Sequence, residues 1–361
     1  MNAAALEALG VYDPASPQAS ETLELLSYAL ELGATTDDLL EFRDQLAGLP
    51  SVLAMRDGPA LTLRDAAERS GVAEDKLLRI ATAAGLPTPG EDDRVFSEGF
   101  SDLGAGIESA ELLFGEEAVL QLIRVMGSGM ARIADAIMSA FFVNVEPDSS
   151  ERLEVARANA QAGALIPGLA FALDVLLRQH LQLARRSSLG AATEGGYEKR
   201  RMCVGFVDLV GSTRLALGAT ASALGEVLAE FERASSEVVS ARGGRVVKLI
   251  GDEVLFTAAN ERSASEIALA LRERLAAHPS IPPVRAGLAG GDVLLRDGDV
   301  FGPVVNLAAR VVGAAGAGQV LVPAAFAAAA GISARPLRPR ELKGFEGAVE
   351  LCELVPTGSG R

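Results

Sequence analysis

Along the first half of the chain, apolar residues return every three or four positions. Past residue 200 they gather into short continuous or alternating runs. The first pattern predicts helices across residues 20–186. "SETLELLSYALELG" (20–33) offers Ser20 as a cap and stops at Gly33, and "TTDDLLEFRDQL" (35–46) opens the same way. Helical spacing continues through 110–145 and through "RLEVARANAQAG" (152–163); such stripes mean either core or a helical interface with another chain. The most apolar stretch, "AGALIPGLAFALDVLL" (162–177), is shorter than the roughly 18–20 residues of a membrane span and contains Asp174. It is expected to be a buried helix of a soluble protein.

Residues 185–200, "RRSSLGAATEGGYEKR", lose the helical period and predict a linker. Beyond it, "MCVGFVDLV", "GRVVKLI", "EVLFTA", "VRAGLAGGDVLL", "QVLVP" and "VELCELV" read as strands. They alternate with helical runs such as "ATASALGEVLAEFERASSEVVSAR". The expected organisation is a helical domain at 1–184, a linker at 185–200 and an α+β domain at 201–361.

Composition narrows the classes. At 361 residues, 49% of them hydrophobic, the chain has room for two packed cores. A net charge of −15 argues against broad affinity for nucleic acid or anionic membrane. The two cysteines, Cys203 and Cys352, have no metal spacing, and the N-terminus has no signal-peptide pattern, so a reducing cytoplasmic setting is expected. Residues 61–87, "LTLRDAAERSGVAEDKLLRIATAAGLP", read as helix, Ser70-Gly71 turn, helix, and resemble the winged helix of MerR-type regulators. DNA reading needs a basic second helix. Here Glu74 and Asp75 offset Lys76 and Arg79, so a structural or regulatory use is expected.

Candidate chemistry lies in three stretches of the second domain. In "GFVDLVGSTRL" (205–215), Asp208 sits inside a strand-like apolar run, where an unpaired carboxylate costs several kcal/mol. In "GGRVVKLIGDEVLFTA" (243–258), Gly251-Asp252 is a hairpin signal that puts Asp252 at a strand tip. If the two strands lie side by side, the carboxylates repel unless a divalent cation joins them; magnesium and manganese favour oxygen donors and phosphate partners. Gly211, Ser212 and Thr213 offer N–H groups at a helix start, suited to phosphate oxygens. In "DGDVFGPVVNLAARV" (297–311), Asn306 and Arg310 are four apart on an otherwise apolar helix and share a face. Arg suits phosphate charge and Asn can orient a hydroxyl.

These three stretches, in this order, resemble the class III nucleotidyl cyclases over residues 201–355. The resemblance implies a ferredoxin-like, palm-type domain with a mostly antiparallel sheet. It implies that Asp208 and Asp252, with the Leu209 carbonyl, bind two divalent cations, Mg2+ or Mn2+. It implies that Asn306 and Arg310 serve the ribose and the transition state, and that Lys248 and Asp299 select the purine. Guanylyl cyclases typically carry Glu and Cys at those last two positions, so ATP is the expected substrate. Lys343 in "ELKGFEGAVELCEL" resembles a triphosphate-binding lysine. The family's site forms between two cyclase domains, and one chain with the complete set implies a head-to-tail homodimer.

The arrangement of a helical domain before a cyclase resembles the soluble actinobacterial acid-responsive cyclases. That resemblance implies regulation by the N-terminal domain, by pH or by a lipid ligand. Of the two histidines, His180 closes the last expected helix beside the linker and is the regulatory candidate. The alternatives are a catalytically weak nucleotide-binding sensor and a guanylyl-type cyclase. A diguanylate cyclase lacks this Asn–Arg helix.

Overall fold

A computed structural model of the chain describes residues 1–145, 151–187, 192–194, 197–212 and 218–355. It divides into two compact units, Met1–Ser187 and Ser188–Arg361.

Among the described residues of the first unit the elements are helices: α1 (Ala3–Ala8), α2 (Ala19–Glu31), α3 (Thr36–Glu41), α4 (Leu49–Met55), α5 (Leu63–Ser70), α6 (Glu74–Ala83), α7 (Glu98–Phe114), α8 (Glu116–Asn144), α9 (Arg152–Gly163) and α10 (Ile166–Ser187). Two small cores hold it. Leu6, Leu26, Leu39 and Leu49 centre one. Ala66, Leu77, Ile80, Phe96 and Ile107 centre the other, around the helix-turn-helix of α5 and α6. Gly71, at φ 72°, ends α5 in the left-handed conformation that glycine adopts without strain. On α6, the Lys76 ammonium donates to Glu111 at 2.7 Å and to Glu108 at 3.2 Å, while Arg79 pairs with Glu116 at 2.7 Å. Both cations that a recognition helix would offer to phosphate are thus engaged by carboxylates of the same unit. Thr35 and Asp38 form a capping box on α3, and the Arg56 guanidinium donates to the Asp38 carboxylate at 2.8 Å.

The apolar stretch at 162–177 corrects the sequence expectation. It spans the end of α9 and the first half of α10 and is mostly not buried: Leu165 is 66% exposed, Phe171 71% and Leu177 58%. The 35 residues Arg152–Arg186 are long and apolar enough, by length and composition, to cross a membrane, and only 6% of the apolar window is buried. The Asp174–Arg178 ion pair at 2.9 Å interrupts the run. The far half of α8 is similarly open, with Met130, Met138 and Phe142 exposed. The expected linker is also shorter than 185–200: α10 continues to Ser187, and strands occupy 192–194 and 197–200.

The second unit contains β1 (Ala192–Glu194), β2 (Tyr197–Leu209), α11 (Ala221–Ala241), β3 (Arg245–Ile250), β4 (Glu253–Ala258), α12 (Glu261–Ala276), β5 (Val284–Arg296), β6 (Asp299–Phe301), α13 (Pro303–Ala314), β7 (Val320–Pro323), α14 (Ala324–Ala330), β8 (Ala334–Pro336), β9 (Arg340–Glu341), β10 (Ala348–Val349) and β11 (Leu351–Leu354). The main sheet runs β3-β4-β2-β5-β7-β11-β8, and β5–β7 is its one parallel pair among the described strands. The sheet is therefore mostly antiparallel, and the unit has the expected α+β class.

Strand alternation sorts the side chains of β2. Cys203, Val207 and Leu209 face a core built with α11, α12 and α14, around Phe231, Ile267 and Phe326. Met202, Val204 and Phe206 face the other side, against α13. Gly287 on β5 lets α13 lie directly on the sheet, because a Cβ there would stand 2.1 Å from the Val312 nitrogen.

Candidate active site

Asp208 follows the parity of Met202, Val204 and Phe206, so its carboxylate belongs to the α13 side of the sheet. β2 lies between β4 and β5, with Asp208 opposite Glu253 on one neighbour and opposite Arg285 on the other. Asp252 sits in the two-residue β3–β4 turn, where Gly251 takes φ 63°. The Leu209 N–H donates to the Asp252 carbonyl at 3.1 Å, fixing the turn beside the end of β2. The Asp208 and Asp252 side chains are near enough to interact.

The cation beside Asp208 is one that the sequence reading missed. The Arg285 guanidinium donates to Asp208 Oδ2 at 2.7 Å through Nε and lies at 2.5 Å through Nη2. Even so, burial pushes the Asp208 carboxyl above its usual range; Arg285 opposes the shift and the neighbouring Asp252 adds to it. Glu253 is pushed up to about 7 by burial, with Asp208 and Asp252 adding to the effect. Three acids share one side of the hairpin with a single arginine facing them, a surplus of negative charge that a divalent cation would offset. The donor set fits a hard cation: two carboxylates with a backbone carbonyl next to one of them. Among the described residues no group of three His, Cys, Asp or Glu side chains forms a closed metal cage. A cation here would need further oxygens from water or substrate.

A bulge governs the second pair of residues. On β3, Val246 stands opposite Phe256 and Lys248 opposite Leu255, leaving Val247 as the extra residue. Directly opposed residues share a face, so Lys248 emerges with Leu255 on the α13 side. There its ammonium donates to Asp299 Oδ2 at 2.5 Å, across a sequence separation of 51 residues. The other oxygen, Oδ1, accepts the Val300 N–H at 2.8 Å. The two expected purine-selecting residues are thus each other's partners.

Asn306 and Arg310 lie one turn apart on α13, both exposed, while Ala308, Val311 and Val312 of the same helix are buried. Gly211, at φ 84°, turns the chain out of β2, and Ser212 follows half-buried; Thr213 lies outside the described residues. Lys343 is exposed on the turn between β9 and β10, a separate two-stranded ribbon. His180 is exposed on α10, which runs seven residues further to Ser187, so it does not close the helix as expected.

A family model for the adenylate cyclase regulatory domain matches residues 7–185. An adenylate cyclase of Streptomyces coelicolor is 34% identical over 282 residues, which span 78% of this chain and 68% of that one. An uncharacterized protein of Mycobacterium tuberculosis is 35% identical, over 97% of this chain and 93% of its own. A pH-sensitive adenylate cyclase of the same species is 27% identical, over 94% and 90%. Among solved structures, the adenylyl cyclase CyaB of Pseudomonas aeruginosa aligns with a TM-score of 0.41 at 22% identity, over 45% of this chain and 96% of that one. The chain belongs to the adenylate cyclases, and its first half matches the family of their regulatory domains.

Proposed function

We propose that the protein converts ATP to 3′,5′-cyclic AMP and pyrophosphate at sites shared between two copies of the chain. The observation that carries this reading is the meeting of Lys248 and Asp299 at 2.5 Å on the same side of the sheet as Asp208. A carboxylate accepts from the adenine N6 amino group and an ammonium donates to a ring nitrogen, a pattern that guanine's O6 and N1–H reverse.

Asp208, Asp252 and the Leu209 carbonyl would hold the divalent cations, Mg2+ or Mn2+, two per site; when bound, such ions acidify the ribose 3′ hydroxyl and neutralise phosphate charge. Arg285 keeps Asp208 paired in the free enzyme. The 3′ oxygen attacks the α-phosphorus, the bond from that phosphorus to the bridging oxygen breaks, and pyrophosphate leaves. Asn306 orients the ribose for in-line attack. Arg310 faces the charge that develops on the α-phosphoryl oxygens. Gly211 and Ser212 are assigned to the triphosphate, together with the sequence candidate Thr213, and Lys343 is assigned to its far end.

Support for a shared site comes from Asn306 and Arg310, which are exposed and so free to serve a second copy. The open apolar faces of α8 and α10 support the same reading, because single soluble chains rarely expose contiguous apolar patches beyond a few hundred Å2. The helical unit is assigned a regulatory role, with acid or a lipid ligand as its input and His180 as the titrating candidate. A pH–rate profile of the full chain against His180→Ala tests that assignment: superimposable profiles remove His180 from it. The central experiment is incubation of the purified chain with Mn2+ or Mg2+ and ATP or GTP, with the product identified by mass. Cyclic AMP from ATP is expected; absence of cyclic nucleotide overturns the function, and cyclic GMP as main product overturns the base assignment.

A further inference from the structure

We propose that Arg245 is a positioning residue for base selection, holding the turn that carries Asp299 in place while Lys248 changes partners; the proposal rests on the adenine reading above. Asp299 starts β6, a strand of three residues that pairs with β5 alone among the described strands. The turn before it is Asp297-Gly298, with φ 57° and 77°. Two left-handed residues in succession make the tight turn of a two-residue hairpin. So short a hairpin has little pairing of its own to fix the direction in which its tip points.

Two cations of β3 reach across to that tip. Lys248 takes the Asp299 carboxylate at 2.5 Å, and Arg245 Nη2 donates to the Gly298 carbonyl at 2.6 Å. They differ in what substrate does to them. If the base takes one partner from each of Lys248 and Asp299, the bond between those two must open, and the first tie is lost at the moment the tip has to hold its position. The second tie ends on a backbone carbonyl one residue before Asp299, and the purine has no claim on it. The exposed Arg245 guanidinium lies close enough to Asp299 and Arg200 for both charges to act on it. A hydrogen bond from a charged donor is stronger than one between neutral groups, and here it acts on a strand of only three residues.

The test measures kcat and KM for ATP and for GTP in the full chain, for wild type, Arg245→Ala, Arg245→Lys and Asp299→Asn. For Arg245→Ala the expected result is a roughly tenfold fall in the ATP/GTP ratio of kcat/KM, carried by the KM for ATP, with kcat at saturating ATP within about twofold of wild type. Arg245→Lys, which keeps a long cation able to reach the carbonyl, is expected to restore part of the ratio. Arg245→Met retains the aliphatic stem and is read the same way if alanine compromises folding. Three outcomes overturn the proposal: an unchanged ratio in Arg245→Ala while Asp299→Asn lowers it; an equal loss for both nucleotides that tracks a lower melting temperature; or no rescue by lysine. An unchanged ratio in Asp299→Asn itself overturns the adenine reading instead, so the two failures are told apart.

Discussion

The two units bury their apolar residues by different routes. In the sheet unit, Phe231, Phe256, Ile267 and Leu271 are fully enclosed, because strands sandwiched between helices leave few apolar side chains uncovered. In the helical unit, Leu25, Leu26, Leu39 and Leu77 are as well buried, yet Leu112 is 92% exposed and Phe171 71%. One half completes its core within a single chain. The other carries apolar side chains on α10 and on the far half of α8 that the described residues of that unit leave exposed. A helical period therefore certifies an apolar face without naming what covers it, and the same pattern served as core in α6 and as open surface in α10.

The largest expected effect probes the chemistry of the sheet unit. Asp208→Ala should lower cyclase activity at least about a thousandfold while circular dichroism stays that of the wild type, since in the proposed mechanism it removes a cation ligand rather than a packed group. Activity within tenfold of wild type would remove Asp208 from the site. Next, Asp208→Ala and Arg310→Ala chains, each nearly inactive, should regain about a quarter of wild-type activity when mixed equally: half the dimers are then mixed, with one intact site in two. No recovery with heterodimers shown to form would place the whole site in one chain.

Stability comparisons sharpen the contrast itself. Phe231→Ala should cost about 3–5 kcal/mol in denaturant unfolding, whereas Phe171→Ala should cost less than about 0.5 kcal/mol in the isolated chain. A large loss for Phe171→Ala, growing with protein concentration, would show that a second copy covers α10. A further, modest effect is a pH dependence in the helical unit. Asp38 is held down to about 2, chiefly by the Arg56 guanidinium, with burial opposing. A carboxyl held below its unfolded value contributes stability that is complete above pH 4 and lost as pH falls from there toward 2. The contribution is about 1–2 kcal/mol, given a partly exposed Arg56. Asp38→Asn should flatten that arm of the unfolding profile; an unaltered acid arm would mean that other groups set it.

Much of this architecture was legible because each element announced itself locally. The apolar runs bounded by turn residues marked β2, β3, β4 and β5, and Gly251-Asp252 marked the hairpin between β3 and β4. Lys248 and Asp299 entered only through resemblance, and neither carries a local signal of the bulge that turns Lys248 toward the α13 side. Arg285 was missed although it mirrors Asp208, a lone charge inside the apolar run "VRAGL". Matching the two needs the strand register, and register depends on which strands are neighbours, a property absent from local pattern. The α10 error has a related origin: composition reports that a face avoids water, and burial depends on what else is present. Likewise the strands at 192–194 and 197–200 lie in a stretch whose Gly and Ser content reads as linker, because pairing of β1 with β2, and of β2 with β5, outweighs propensity there.

The Val247 bulge carries a consequence for protein engineering. A strand keeps account of faces, and the pairing of Val246 with Phe256 and of Lys248 with Leu255 already skips one position. Deleting Val247 outright would leave both pairings intact and Lys248 on the α13 side. A change that kept all the residues but ironed the bulge flat would instead carry Lys248 opposite Val254, into the core beneath α11 and α12. Shortening the chain by one residue is here the milder edit, and homologues that differ by a single gap at this point can share the same chemistry.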